Sequence, residues 1–280
     1  MNNKNKKIII IGGVAGGMSF ATRYRRLNQE DHIIVFEKGP YVSFANCGLP
    51  YHISGEISTR SGLLVVREQL LKDRFRLDIR SSAEVISVDS DHKTLTYVKQ
   101  GETLEESYDE LVLSTGAKPI QINIKGQTSL PMFTLRNIPD LDKIMAHIKE
   151  TQPQHATVIG GGYIGLEVAE NLQMRGIQVT LIEKADGVLP IVDPEMSVFI
   201  KKELEAHGIQ VFTSNEIKEI KDQEVHLISG DNFQTDFIMM SVGVVPDTAL
   251  AQMAGIETGV RSGIVVNDQY QTSRPNIYAV

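Results

Sequence analysis

Apolar and polar positions run through the same order twice along the chain. Lys7-Ile8-Ile9-Ile10-Ile11 is a short β-branched run that passes through Gly12-Gly13-Val14-Ala15-Gly16-Gly17 into a helical stretch from Met18 to Leu27. A second apolar run, Ile33-Ile34-Val35-Phe36, then ends on Glu37. From residue 156 the order recurs. Ala156-Thr157-Val158-Ile159 leads into Gly160-Gly161-Gly162-Tyr163-Ile164-Gly165, a helical stretch from Leu166 to Arg175, and Gln178-Val179-Thr180-Leu181-Ile182, which ends on Glu183. An apolar run without alternation suits a strand covered on both faces, so each copy predicts a βαβ unit of a parallel sheet.

The glycine turns carry specific chemistry. A helix N-terminus offers unpaired N–H groups and the positive end of the helix dipole, so a diphosphate can sit there. Glycines allow the tight turn, the close approach of backbone to phosphate and the contact between helix and strand. The acids that end the second strands, Glu37 and Glu183, are placed to accept hydrogen bonds from a ribose hydroxyl pair. The first copy has Val14 where the pattern has its middle glycine, which narrows the approach, with Gly16 beside Gly17 as compensation. The plain alternative is a tight helix–strand joint that binds nothing. Two dinucleotide sites on one chain imply electron transfer between two cofactors, a flavin and a nicotinamide. The expected fold is α/β with two Rossmann-like FAD/NAD(P)-binding domains.

Two similar breaks suggest how they connect. Glu110-Leu111-Val112-Leu113 runs into Ser114-Thr115-Gly116-Ala117 and Pro119, and Phe237-Ile238-Met239-Met240 runs into Ser241-Val242-Gly243 and Pro246-Asp247. Read as crossing points, they predict an FAD-binding domain at 1–118 plus 244–280, with the NAD(P)H-binding domain, 119–243, inserted in it. Asp193-Pro194 reads as a helix start with Asp193 as cap.

Composition narrows the classes. Of 280 residues, 28 are Lys or Arg and 35 Asp or Glu, a formal net charge of −7, which argues against a nucleic-acid partner. The 41% hydrophobic and 22% charged fractions are those of a globular chain. No apolar run approaches the roughly 18 residues of a membrane helix, and MNNKNKK leads straight into IIIIGG without the pattern of a secretory signal. A cytoplasmic protein with no membrane partner is expected. The seven histidines are scattered, with no H-x-H or H-E-x-x-H, so no metal site is expected.

Cys47 is the only cysteine. It lies in Ser43-Phe44-Ala45-Asn46-Cys47-Gly48-Leu49-Pro50-Tyr51, where glycine and proline suggest a loop meeting a helix end. Backbone N–H groups stabilise a thiolate there, and Ser43 and Asn46 offer further donors. The other reading is a buried, inert cysteine. A lone redox thiol has two routes, a sulfenic acid or a mixed disulfide with an external thiol. His52, five residues on, is a candidate proton donor or a plain loop histidine. Arg23 and Arg26 share one helix face, where guanidinium forks could grip phosphates; the alternative for Arg23-Tyr24-Arg25-Arg26 is a solvated basic face.

These residues resemble the FAD-dependent pyridine-nucleotide disulfide oxidoreductases, and within them the single-cysteine branch. SFANCGLPY fits the S-F-x-x-C-x-x-P-Y signature of coenzyme A-disulfide reductases, and the likeness extends through Thr134-Leu135-Arg136-Asn137 to Thr272-Ser273-Arg274-Pro275-Asn276-Ile277-Tyr278-Ala279. The resemblance implies Cys47 as the catalytic nucleophile. Gly12, Ala15, Gly16, Gly17, Glu37, Lys38, Val85 (through its backbone), Thr115, Gly116 and Arg136 would be FAD contacts. Gly160, Gly162, Tyr163, Ile164, Gly165 and Glu183 would be NAD contacts, with Gly243 also among the cofactor positions. Ser19, Arg23, Arg26, Ser43 and Asn46 would hold the substrate, coenzyme A disulfide or a related small thiol, persulfide or polysulfide.

Glu183 implies NADH, because a carboxylate repels a 2′-phosphate; Lys184 beside it keeps NADPH as the other candidate. The resemblance also implies that a C-terminal dimerisation domain, and with it the homodimer of the full-length family, is absent from this C-terminally truncated stretch. The rival readings are an NADH oxidase or peroxidase cycling Cys47 through sulfenic acid, and a nucleotide-binding fragment without catalysis.

Overall fold

The computed structural model describes residues 5–280; residues 1–4, which open the MNNKNKK segment, lie outside the described residues. The chain runs β1 (Lys7–Ile11), α1 (Ala15–Leu27), β2 (His32–Glu37), α2 (Leu49–Ser54), α3 (Glu68–Phe75) and β3 (Leu77–Ser81). Next come β4 (Ala83–Asp89), β5 (Thr94–Lys99), β6 (Glu102–Ser107), β7 (Glu110–Leu113) and β8 (Ala117–Pro119). It continues through β9 (Met132–Phe133), α4 (Ile138–Thr151), β10 (His155–Ile159), α5 (Tyr163–Met174), β11 (Gln178–Ile182), α6 (Pro194–Ala206) and β12 (Gln210–Phe212). Then follow β13 (Ile217–Lys221), β14 (Glu224–Leu227), β15 (Asn232–Gln234), β16 (Phe237–Met240), β17 (Val244–Pro246), α7 (Ala249–Met253) and β18 (Ile277–Ala279).

Packing divides the chain into two units, Met1–Ala45 with Leu64–Lys118 and Val245–Val280, and Asn46–Leu63 with Pro119–Val244. The first unit is built on a parallel sheet of order β18-β7-β1-β2-β3. Its central strand explains the unbroken isoleucine run. Ile8 and Ile10 join Ile33, Val35, Leu77 and Ile79 under Met18 and Ala21 of α1 and Leu71 of α3. Ile9 and Ile11 point the other way, into a core with Val85, Leu95 and Tyr97 of the antiparallel sheet β4-β5-β6 and Ala251 of α7. Each of these fully buried isoleucines contributes about 2 kcal/mol.

The second unit repeats the plan. Its parallel sheet is β12-β11-β10-β16-β9, and its antiparallel sheet β13-β14-β15 falls between β12 and β16, as β4-β5-β6 falls between β3 and β7. The second unit also contains a segment that the sequence reading placed in the first domain. Residues 46–63 pack with the second unit because α2 lies against α5 and α4, and Arg60 binds Asp142 through two bonds of 2.8 and 2.6 Å. Asp193 does stand at the head of α6, with Pro194 as the first helical residue, but its side chain makes no capping bond.

Both turns depend on one glycine. Gly12 has φ +107° and Gly160 φ +101°, and a Cβ at either would collide with backbone, at Ser114 O or Ser241 O respectively. Those neighbours are fixed, since Ser114 N donates to Ile11 O and Ser241 N to Ile159 O, each at 2.8 Å. Gly160→Ala should therefore cost about 3 kcal/mol through strain and collision together, read as a lowered denaturant midpoint.

Arg80 ties the two sheets of the first unit together. Its guanidinium lies over Phe36 and Tyr97, 5.1 and 5.7 Å from the ring centroids, and bonds Asp78 at 2.9 Å and Glu106 at 2.8 Å. Glu106 also takes a 2.7 Å bond from Lys7. Burial opposes its charge, but the bonds from Lys7 and Arg80 outweigh that and hold its carboxyl below the usual 4.5. A lowered folded-state value stabilises above the unfolded value and is lost as pH falls through the folded one. Glu106→Gln should cost about 2 kcal/mol at pH 7, and its deficit against the parent should shrink below about pH 4.5, as read in denaturant titrations.

Candidate functional site

The two glycine turns are built alike. In the first unit Glu37 accepts from Gly13 N at 2.8 Å and from Gly39 N at 2.7 Å. In the second, Glu183 accepts from Gly161 N at 2.6 Å and from Ala185 N at 2.7 Å. Each acid thus fastens its strand end to the turn, and each carboxylate oxygen keeps a further lone pair for a ribose hydroxyl. The helices that follow begin without a side-chain cap, at Val14 and Gly162, so their first N–H groups are left to meet a ligand.

The turns differ in their middle position. A Cβ at Gly162 would meet nothing within 4 Å, whereas the first turn carries the half-buried Val14 there. Gly17 and Gly165 serve helix–strand contact, since a Cβ on either would strike the carbonyl of Gly12 or Gly160. Ala15 and Gly16 are exposed on the first turn of α1, and Tyr163 and Ile164 are exposed at the head of α5. Both cradles fit a dinucleotide diphosphate.

Around the first turn the unit adds further groups. Thr115 donates through Oγ1 to Asp247 O at 2.5 Å, and Asp247 N donates to the carbonyl of Gly116, whose φ is +67°. Lys38 approaches the Asp247 carboxylate at 3.5 Å and Lys118 at 3.8 Å. Thr115, Gly116 and Asp247 line a cavity of about 320 Å³ with Leu113, Tyr270, Ala279 and Val280. It opens at the carboxyl ends of β7 and β18, the side on which doubly wound sheets bind ligands. Val85 lies buried in β4 opposite Tyr97, beside a bulge in the strand pairing. Arg136 and Gly243 fall in the second unit, Arg136 with its N–H bonded to Asp140 and Gly243 with φ +104°.

In the second unit Cys47 is exposed, so the buried-thiol reading is set aside. It sits in a single 3-10 turn, Asn46–Gly48, directly ahead of α2, with Pro50 in that helix's first turn. Ser43, in the first unit, is buried with φ +51°, and Asn46 is half-buried. His52 lies within α2 rather than in a loop, and its Nδ1 is 2.6 Å from Ile57 O, a pure acceptor, so that nitrogen carries the proton. Ser19, Arg23 and Arg26 share one exposed face of α1. Arg25 does not join them; it is buried and donates to Phe75 O and Asp31 O. Lys184 pairs with Glu216 at 3.1 Å, which offsets its charge beside Glu183.

Sequence reasoning missed two features. Asp247 gathers Lys38 and Lys118 through its carboxylate and Thr115 through its backbone carbonyl; its signal was the acid directly after the Gly-x-x-Pro turn. The second is Glu167-Asn171-Arg175, polar residues four apart that run along α5 to its C-cap, on the helix that meets α2. Glu167 raises the phenol of Tyr51, followed by burial and Glu170, and Glu167's own carboxyl is raised by burial and then by Glu170. Among the described residues, no His, Cys, Asp and Glu group could hold a metal ion, and no helix is long and apolar enough to cross a membrane.

Known proteins share this architecture. Coenzyme A disulfide reductase of Staphylococcus aureus (strain JH9) is 38% identical over 276 residues, which cover 98% of this chain and 62% of that protein. The crystal structure of reduced Bacillus anthracis CoADR-RHD superposes with a TM-score of 0.97 at 46% identity, covering 99% of this chain and 51% of that one. The NAD-dependent persulfide reductase from A. fulgidus superposes with a TM-score of 0.93 at 33% identity, covering 98% of this chain and 52% of that one. The chain therefore spans under two thirds of the curated relative and about half of each solved chain. Residues 6–280 match the family model described as pyridine nucleotide-disulphide oxidoreductase, whose members use FAD and NAD(P)H. The chain belongs to the pyridine nucleotide-disulphide oxidoreductase family.

Proposed function

We propose that this chain is the dinucleotide- and cysteine-bearing part of a flavin-dependent NAD(P)H oxidoreductase that reduces coenzyme A disulfide, or a related persulfide or polysulfide, to coenzyme A. The observation that carries the reading is Cys47, the only cysteine, exposed at the head of α2 in SFANCGLPY on a chain with two dinucleotide turns. The similar proteins named for coenzyme A disulfide and persulfide reduction support it. The first turn with Glu37, Lys38, Val85, Thr115 and Gly116 is assigned to FAD, together with Arg136. The second turn with Tyr163 and Glu183 is assigned to the nicotinamide dinucleotide. NADH is favoured over NADPH, because Glu183 repels a 2′-phosphate while Lys184 is engaged by Glu216. The setting assigned is the cytoplasm, and the full-length protein is assigned as a homodimer acting on a small thiol substrate.

FAD and NAD(P)H, when bound, supply hydride and two-electron transfer. Cys47 supplies the covalent chemistry. Its thiolate attacks one sulfur of coenzyme A disulfide, so a Cys47–coenzyme A bond forms, the original S–S bond breaks, and one coenzyme A leaves as thiolate and takes a proton from water. Two electrons then cleave the mixed disulfide, which returns Cys47 to thiolate and frees the second coenzyme A. Arg23 and Arg26, with Ser19, offer donors for the coenzyme A phosphates, and Ser43 and Asn46 are assigned to the same substrate.

The deciding experiment is an absorption spectrum of the purified chain, before and after anaerobic NADH. A flavin band that bleaches is expected, and a reductant should release coenzyme A from the parent but none from Cys47→Ser. A protein that stays colourless with added FAD would overturn the enzyme reading for this chain and leave a nucleotide-binding fragment. In reducing preparations, Arg23→Met with Arg26→Met should raise the KM for coenzyme A disulfide about tenfold or more by removing two phosphate contacts. The rate of flavin bleaching by NADH should stay within about twofold of the parent.

A further inference from the structure

The segment that carries Cys47 is held by the helix that follows the second glycine turn. α2 has only six residues, too few to persist without outside support. Arg175, at the C-terminal cap of α5, donates through Nη1 to Ile53 O at 2.7 Å. That carbonyl is among the last four of α2, which have no partner within the helix, and a guanidinium there also meets the negative end of the helix dipole. Arg175 is itself fixed from behind, because its N–H bonds to Asn171 O. The fully buried Asn171 donates in turn to Glu167 O at 2.7 Å, one turn nearer the glycine turn. The charges of Glu167 and Glu170 on α5 raise the phenol of Tyr51 in α2, Glu167 most. Arg60 and Asp142 tie the far end of the same segment to α4.

We propose that Arg175 is a positioning residue for Cys47, clamping α2 to α5 so that the thiol is held by the same helix that begins at the Gly160 turn. The clamp stands on this geometry, and its link to a bound dinucleotide rests on the reading of that turn as the nicotinamide site. A ligand that orders the head of α5 then also orders α2 and narrows the motions of the thiol. Neither the cysteine nor the turn is contacted by the guanidinium in this arrangement; it acts through the carbonyl of Ile53.

The lone cysteine makes the test direct. Alkylation of Cys47 by iodoacetamide is followed by mass in the full 280-residue chain, with and without saturating NADH, while NADH binding is measured separately by calorimetry. In the parent, NADH should slow alkylation about twofold or more. Arg175→Met should raise the basal rate about threefold to tenfold, as expected for a lost charged hydrogen bond at a short helix, and abolish the NADH effect. Its NADH affinity should stay within about twofold of the parent, because the turn itself is untouched. Arg175→Lys keeps one donor and the charge, so it should restore most of both readouts.

A basal rate and NADH response in Arg175→Met equal to the parent's would overturn the clamp. Bound NADH without effect on the parent would overturn the coupling. If the parent does not bind NADH, the nicotinamide reading fails, and the clamp is judged on the basal rates alone. Should Arg175→Met fail to fold, Arg175→Gln, too short to span to Ile53, is read in the same way.

Discussion

In both units a carboxylate reaches from the end of one strand to the N–H of a glycine in the neighbouring turn. The bonds Glu37–Gly13 and Glu183–Gly161 set the distance between β2 and the head of α1, and between β11 and the head of α5. The glycine that precedes each bonded N–H is pressed against the next strand's backbone, so nothing in the turn can relax outward. Everything that makes these turns useful follows from that fixing: uncapped helix N–H groups, a free path to them, and an acid with lone pairs to spare. A turn of the same composition without the acid would have no reason to hold its shape.

The same sheet plan serves different surroundings in the two units. In the first, the groups that gather near the turn come from far along the chain, with Asp247 meeting Thr115 and Lys38. In the second, the head of α5 is open, with Tyr163 60% exposed, and the body of the helix is turned toward α2 and the cysteine segment. The exposed cysteine's segment and the second glycine turn are therefore joined by helix packing within one unit.

The βαβ pairs were legible because Ile8–Ile11, and Ala156–Ile159 apart from Thr157, are apolar without alternation, which a strand covered on both faces requires. Their turns were legible because the acid confirmed the glycines. The antiparallel sheets left weaker marks: β4 alternates buried Ala83 and Val85 with exposed Glu84 and Ile86, a pattern shared by many surface strands. The placement of residues 46–63 left none, since α2 meets α5 across more than a hundred residues of sequence and no local pattern encodes that contact. Arg25 shows the same limit. Helical spacing put Arg23 and Arg26 on one face, but the carbonyls that bury Arg25 belong to the chain around Phe75 and Asp31. Of the candidate site, the sequence marked candidate residues such as Cys47 but not the helix that packs against their segment.

The order of the strands also bears on how the molecule is made. β18 lies at the edge of the first sheet, beside β7, although residues 119–244 of the second unit are translated between them. A nascent chain therefore leaves the ribosome with β7 unpaired on one side until residues 277–279 arrive. The second sheet has all its strands by residue 240 and can close first. β18 joins the first sheet late, and during the interval the open edge of β7 is exposed to pairing with another chain.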